Sequence, residues 1–144
     1  MVLQSVLVFA IVVLGVRGPA WPDSARWWLK GAAALLVFAG LVVAVSAARA
    51  LGRGFTTFPA PAERGALVLT GPYAVVRHPV YSGAILFLAG IALALSPWVL
   101  AGVAAISVLW GLKARVEERL LLARYPDYAA YCGRTRFRLV PYVY

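Results

Sequence analysis

The stretch PVYSGAILFLAGIALALSPWVLAGVAAISVLWGL, residues 79–112, carries no charged side chain over 34 positions. One bilayer crossing takes about 20 apolar residues, so this run is too long for a single span and suits two short ones. Ser96-Pro97 lies at its middle, and proline is favoured in the first turn of a helix. The pattern predicts a tight helical hairpin with arms at 80–95 and 98–112. Each arm, of about 15 residues, rises about 22 Å at 1.5 Å per residue. The second arm is expected to continue as helix past Lys113 into Glu117, Glu118 and Leu122.

Composition points the same way. The chain has 144 residues, 63% of them hydrophobic and 13% charged, with a mean hydropathy of +0.85. A soluble domain is about 25% charged, and a globule this small has too little interior to hide so much apolar surface. Disordered chains are poor in apolar residues, which excludes that class. A net charge of +9 in a soluble protein would suggest nucleic acid. Here no soluble basic module remains once the spans are set aside, so no nucleic-acid partner is expected, and the cations read as loop charges. Cys132 is the single cysteine and allows no internal disulfide. With His78 the single histidine, neither a Cys/His zinc site nor a carboxylate-bridged metal bundle is expected.

Outward from the hairpin, residues 2–16 and 27–48 are the other apolar stretches. The first lacks a basic leader and a small-residue cleavage site, so it is read as a retained helix, ended by Arg17, Gly18, Pro19 and Pro22. Trp21, Trp27 and Trp28 fall where an interfacial aromatic belt would lie, and Ser24 suits a helix cap. Gly40, Ala44 and Ala48 form a four-residue stripe that admits a close helix or arises by chance in an Ala-rich span. Residues 49–78 are dense in glycine and proline and read as a loop. The expected architecture is an all-α membrane bundle of about four spans in one domain. Two spans lie in 1–52, a loop in 53–78, and the hairpin with a helical tail in 79–144. Lys and Arg number eleven on the side of the loop and tail, including Arg49, Arg53, Arg64 and Arg77. Arg17, Arg26 and Lys30 make three on the other, which puts the loop and tail in the cytoplasm.

Two polar segments therefore share one membrane face. In GPYAVVRHPVYSG, residues 71–83, Pro79 opens a helix whose following amides, Val80 to Ser82, suit an anion, with His78 and Arg77 beside them. The plainer reading has Arg77 at lipid headgroups, His78 as a cap and Tyr81 as an interfacial anchor. In EERLLLARYPDYAAYCGRTRF, residues 117–137, Glu117 and Glu118 point about 100° apart on a helix, one able to face a bundle interior and the other water. They are either surface ion pairs with Lys113 and Arg115 or a seat for a cationic ligand. Tyr125, Tyr128 and Tyr131 recur at helical spacing, as an aromatic wall or an interfacial belt. Arg134, Arg136 and Arg138 alternate in an extended tail, on lipid phosphates or on an anionic ligand group. No hydrolase triad or phosphate loop is visible.

The ordered set R-H-P-x-Y-x-G, apolar hairpin, E-E, Y-x-x-Y and R-x-R-F resembles the isoprenylcysteine carboxyl methyltransferase and phospholipid methyltransferase superfamily over about half the chain. The resemblance implies an integral membrane enzyme that uses S-adenosyl-L-methionine, with a cofactor pocket on the cytoplasmic face. By motif position it implies His78, Tyr81, Gly83, Glu117, Glu118 and Tyr131 as cofactor-binding residues. It further implies Glu118 and Arg134 as the residues nearest the reaction. The implied reaction is in-line displacement at a sulfonium methyl, where the protein supplies alignment and dryness to a lipophilic acceptor. The rival class is a small four-helix transporter of the multidrug-exporter type. Cation export would call for an acid within a span, and Glu117 and Glu118 lie just past the fourth.

Overall fold

A computed structural model describes residues 2–52 and 67–141. Over these residues the chain is helical and has no strand: α1 (Val2–Arg17), α2 (Arg26–Leu51), α3 (Pro79–Leu95), α4 (Pro97–Arg124) and α5 (Tyr128–Arg134). Two short 3-10 turns, Asp23–Ala25 and Gly71–Ala74, precede α2 and α3. Arg53 and Arg64, which enter the count of cytoplasmic charges, lie outside the described residues.

The expected boundaries follow the chain's punctuation. α1 ends at Arg17, ahead of Gly18 and Pro19. Ser24 sits inside the first 3-10 turn, where the Arg26 guanidinium pairs with Asp23 at 2.8 Å. α2 stops before Gly52, whose φ of +50° is a left-handed end that glycine adopts without a Cβ clash. Ser96 alone separates α3 from α4. α4 runs on to Arg124, past the paired acids, as its sequence predicts.

The chain divides into two compact units, Met1–Leu41 with Gly83–Trp110 and Val42–Ser82 with Gly111–Tyr144. In the first, Ile11, Ala33, Ala92, Val99, Val103 and Ile106 are buried. A Cβ added at Gly40 would lie 2.6 Å from Gly83 O and 2.8 Å from Phe87 Cα, and one at Gly90 would lie 2.8 Å from Ala33 O. α2 and α3 thus cross backbone to backbone, which only small residues permit. The buried small positions of α2 are Ala33, Gly40 and Ala47, seven apart, whereas Ala44 and Ala48 are half-buried. Trp27 and Trp28 are exposed, as a belt would have them, but Trp21 donates from Nε1 to Ala92 O at 3.3 Å. Ser96 Oγ donates to Pro19 O at 2.7 Å, which ties the α3–α4 joint to the end of α1.

Two helices, Arg26–Leu51 and Pro97–Arg124, are long and apolar enough to cross a membrane, and Val2–Arg17 and Pro79–Leu95 are shorter apolar helices. Both long helices expose most of their apolar residues, among them Leu35, Phe38, Val108 and Leu112. A core helix of a soluble protein would hide them, and soluble monomers rarely leave such apolar patches bare. In the second unit the buried hydrophobic residues include Ala47, Tyr73, Val76, Ala114, Tyr128, Tyr131 and Leu139.

Candidate functional site

Within the second unit, the turn before α3 meets the polar end of α4. His78 is the residue before Pro79, and its ring is 8% exposed. Its Nε2 lies 3.3 Å from Glu118 Oε1 and its Nδ1 lies 3.4 Å from Glu117 Oε2. One imidazole therefore bridges two carboxylates that are neighbours in sequence. Burial pushes the His78 pKa down, but the two carboxylates outweigh it, so the net shift is upward and the doubly protonated ring is favoured. The His78 ring stacks on Tyr81 at 5.8 Å between centroids, and the Tyr81 hydroxyl donates to Glu117 Oε1 at 2.5 Å. Lys113, one turn before Glu117, places Nζ 4.0 Å from the same oxygen and over the Tyr81 ring.

The paired acids do not split between interior and water. Glu118 continues the buried stripe of α4 that passes through Ala114 and is itself 7% exposed. Glu117 is half-buried and also turned toward His78. A buried carboxylate needs partners, and Glu118 has two arginines. Arg77 Nε donates to Oε1 at 2.7 Å, while Arg138 reaches Oε2 through Nε at 2.9 Å and Nη2 at 2.7 Å. Arg77 Nη1 also donates to the carbonyls of Thr135 and Arg136, at 2.8 and 2.7 Å.

The tail is laced to the α3 turn through its main chain as well. The amides of Arg77 and His78 donate to Phe137 O and Arg138 O, at 2.9 and 3.0 Å. The Ser82 hydroxyl lies against Leu139 O and against His78 O, and its amide donates to His78 O at 3.1 Å. The Ser82 amide is thus already used within the helix. Beside it, side chains of Arg77 and His78 make the turn's cationic face.

Several expected residues take other positions. Arg77, read either beside the anion site or at lipid headgroups, and Arg138, read on lipid phosphates or an anionic ligand group, both pair with Glu118. A guanidinium next to a bilayer and one in a buried ion cluster leave the same mark in a sequence. The signal for Arg77 is its adjacency to His78 together with a pair of acids that needs cations. Tyr125, Tyr128 and Tyr131 do not share a helix, because α4 ends at Arg124 and Pro126 intervenes before α5. Tyr131 is buried, and its hydroxyl donates to Tyr73 O at 2.7 Å, which anchors the 3-10 turn before Arg77. Tyr128 packs beside it at 5.5 Å between centroids. Gly83 lies in the other unit, at the close approach of α2. Arg134 is exposed at the end of α5, where it lines an open cleft of about 270 Å³ with Ala74, Val75, Arg136, Phe137 and Pro141. Among the described residues no group of three or more His, Cys, Asp or Glu suits a metal ion.

The geometry has a chemical consequence. His78, Lys113, Arg77 and Arg138 set three permanent cations and a protonatable ring around two carboxylates. Cations of this kind are the donors that a carboxylate can use, and a glutamate with spare lone pairs is an acceptor that an ammonium can use.

A family model described as phospholipid methyltransferase matches residues 29–128. That span includes His78, Tyr81, Glu117 and Glu118 and stops before the tail. A search of curated proteins returned no match. The match lends no support to the transporter alternative.

Proposed function

Since the chain belongs to the phospholipid methyltransferase family, we propose that it is a membrane-embedded methyltransferase that takes S-adenosyl-L-methionine and methylates a lipophilic acceptor. The observation that carries the reading is His78 bridging Glu117 and Glu118 at 3.4 and 3.3 Å, which joins the two motif segments into one site. When bound, the cofactor supplies a methyl group already activated on a sulfonium. The cations around His78 hold its carboxylate, and at least one of the paired acids holds its ammonium. Tyr81 fixes Glu117 by its hydroxyl and His78 by stacking on its ring. Tyr131 supports the pocket by anchoring the 71–74 turn through its hydroxyl.

Arg134, with Arg136 and Phe137 beside it in the cleft, is the acceptor-side residue, suited to an acidic group on a lipophilic molecule. A carboxylate or thiolate acceptor needs no base. For an amine acceptor, a carboxylate of the cluster, Glu117, is the group able to take the proton. We place about four spans in the bilayer, with α3 and α4 as a hairpin and the cluster facing the cytoplasm, on the distribution of arginines. The test is twofold. Detergent-purified protein is expected to bind S-adenosylhomocysteine, and with a radiolabelled methyl donor it is expected to label a component of a lipid extract. Absence of both binding and label, in protein that retains its helical content, overturns the assignment.

A further inference from the structure

The two acids differ in how much of their acceptor capacity is already used. An ionised carboxylate offers about four lone-pair sites. Glu118 receives four donor approaches: Arg77 Nε and His78 Nε2 on Oε1, and Arg138 Nε and Nη2 on Oε2. Its side chain is 9% exposed, so a newcomer would have to displace an arginine. Among the described residues Glu117 is approached more loosely: the Tyr81 hydroxyl donates to Oε1 at 2.5 Å, and the two other donors stand farther off. His78 Nδ1 faces its Oε2 at 3.4 Å, and Lys113 stands off at 4.0 Å, beyond hydrogen-bond reach.

We infer that the adjacent acids divide the work: Glu117 alone receives the ligand's ammonium, and Glu118 is a positioning residue that clamps the C-terminal tail onto the 77–78 turn. The first half rests on the methyltransferase reading, while the second stands on the geometry of the unliganded chain. Arg138 is the tail's side-chain anchor, and its pairing with Glu118 lies directly beside the two amide bonds from residues 77 and 78 to the tail. Arg77 closes the loop, because one guanidinium touches Glu118 and two tail carbonyls together. Loss of Glu118 therefore loosens the strap that shapes the ligand site, whereas loss of Glu117 removes one ligand contact and leaves the strap fastened.

The experiment pairs two ligands with three variants of the full chain in detergent. The ligands are S-adenosylhomocysteine and its analogue without the α-amino group. Glu117→Gln is expected to weaken the first by roughly tenfold or more, since a charged hydrogen bond is lost, and to leave the analogue within about twofold. Glu118→Gln is expected to weaken both by the same factor. Hydrogen exchange at the amides of residues 77 and 78, measured without ligand, is expected to quicken at least about tenfold in Glu118→Gln and to stay unchanged in Glu117→Gln. Arg138→Gln gives the same exchange signature should Glu118→Gln not fold. The inference is overturned if dependence on the amino group tracks Glu118, or if the two amides stay protected in both clamp variants. Wild-type protein that binds neither ligand overturns the methyltransferase reading and the ammonium assignment with it, and the exchange arm still decides the clamp.

Discussion

Replacing Arg77 with alanine removes three polar contacts at one stroke: Nε to Glu118 at 2.7 Å, and Nη1 to the carbonyls of Thr135 and Arg136 at 2.8 and 2.7 Å. The Arg77 and Glu118 side chains are each 9% exposed, so water cannot readily replace the lost partner. Removing one member of a buried ion pair costs about 3–5 kcal/mol. Arg138 still neutralises the other oxygen of Glu118, which favours the lower end of that range. A net stability of about 5–15 kcal/mol would lose a large part of itself. Arg77→Lys keeps the charge but lacks the planar fork that serves a carboxylate and two carbonyls together, so an intermediate loss is expected. Equilibrium unfolding of the detergent-solubilised variants, followed by tryptophan fluorescence, measures both. An alanine variant within about 1 kcal/mol of wild type, the cost of an exposed ion pair, would refute the buried-cluster reasoning.

Three pairs of further outcomes are expected. Gly31 has nothing within 4 Å of an added Cβ, so Gly31→Ala should gain up to about 1 kcal/mol from helix propensity. Gly40→Ala meets the backbone of α3 and should lose about 1–3 kcal/mol, and the reverse order in thermal melts would count against the α2–α3 crossing. Tyr131→Phe strands the Tyr73 carbonyl and should cost about 1–3 kcal/mol. The Tyr128 hydroxyl is buried without a hydrogen-bond partner among the described residues, so Tyr128→Phe should be neutral or stabilising in the same assay. Because the folded-state pKa of His78 is raised, its contribution is complete below the ordinary histidine value and declines as pH rises through the folded value. Melting temperature should therefore fall on the alkaline side of about pH 6.5, and His78→Gln should flatten that part of the profile.

The helices were legible because their signals are local. An uncharged run, a Ser-Pro break and glycine or proline at the ends mark α1 to α4 within a few residues, and the extension of α4 past Glu118 follows from its unbroken helical composition. The meeting of His78 with the paired acids was suggested by motif order, which carries a contact between residues some 40 positions apart that periodicity cannot carry. What escaped was main-chain pairing. Nothing in the side chains of Phe137 or Arg138 announces that their carbonyls accept the amides of residues 77 and 78. The tyrosines at 125, 128 and 131 misled because spacing was counted across Pro126, which ends one helix and resets the phase of the next. The small-residue stripe of α2 was read at a step of four, whereas burial follows a step of seven, the interval at which a helix face returns toward a neighbour.

The strap over residues 77 and 78 is fastened largely by the carbonyls of residues 135–138, with one side chain, Arg138, making the ionic anchor. Carbonyl acceptors are the same whichever amino acid carries them. Arg136 and Phe137, which line the cleft, contribute their carbonyls to this hold. The tail's hold is in this way split between main-chain acceptors, which any residue supplies, and an ion cluster, which depends on the identity of Arg77, Glu118 and Arg138.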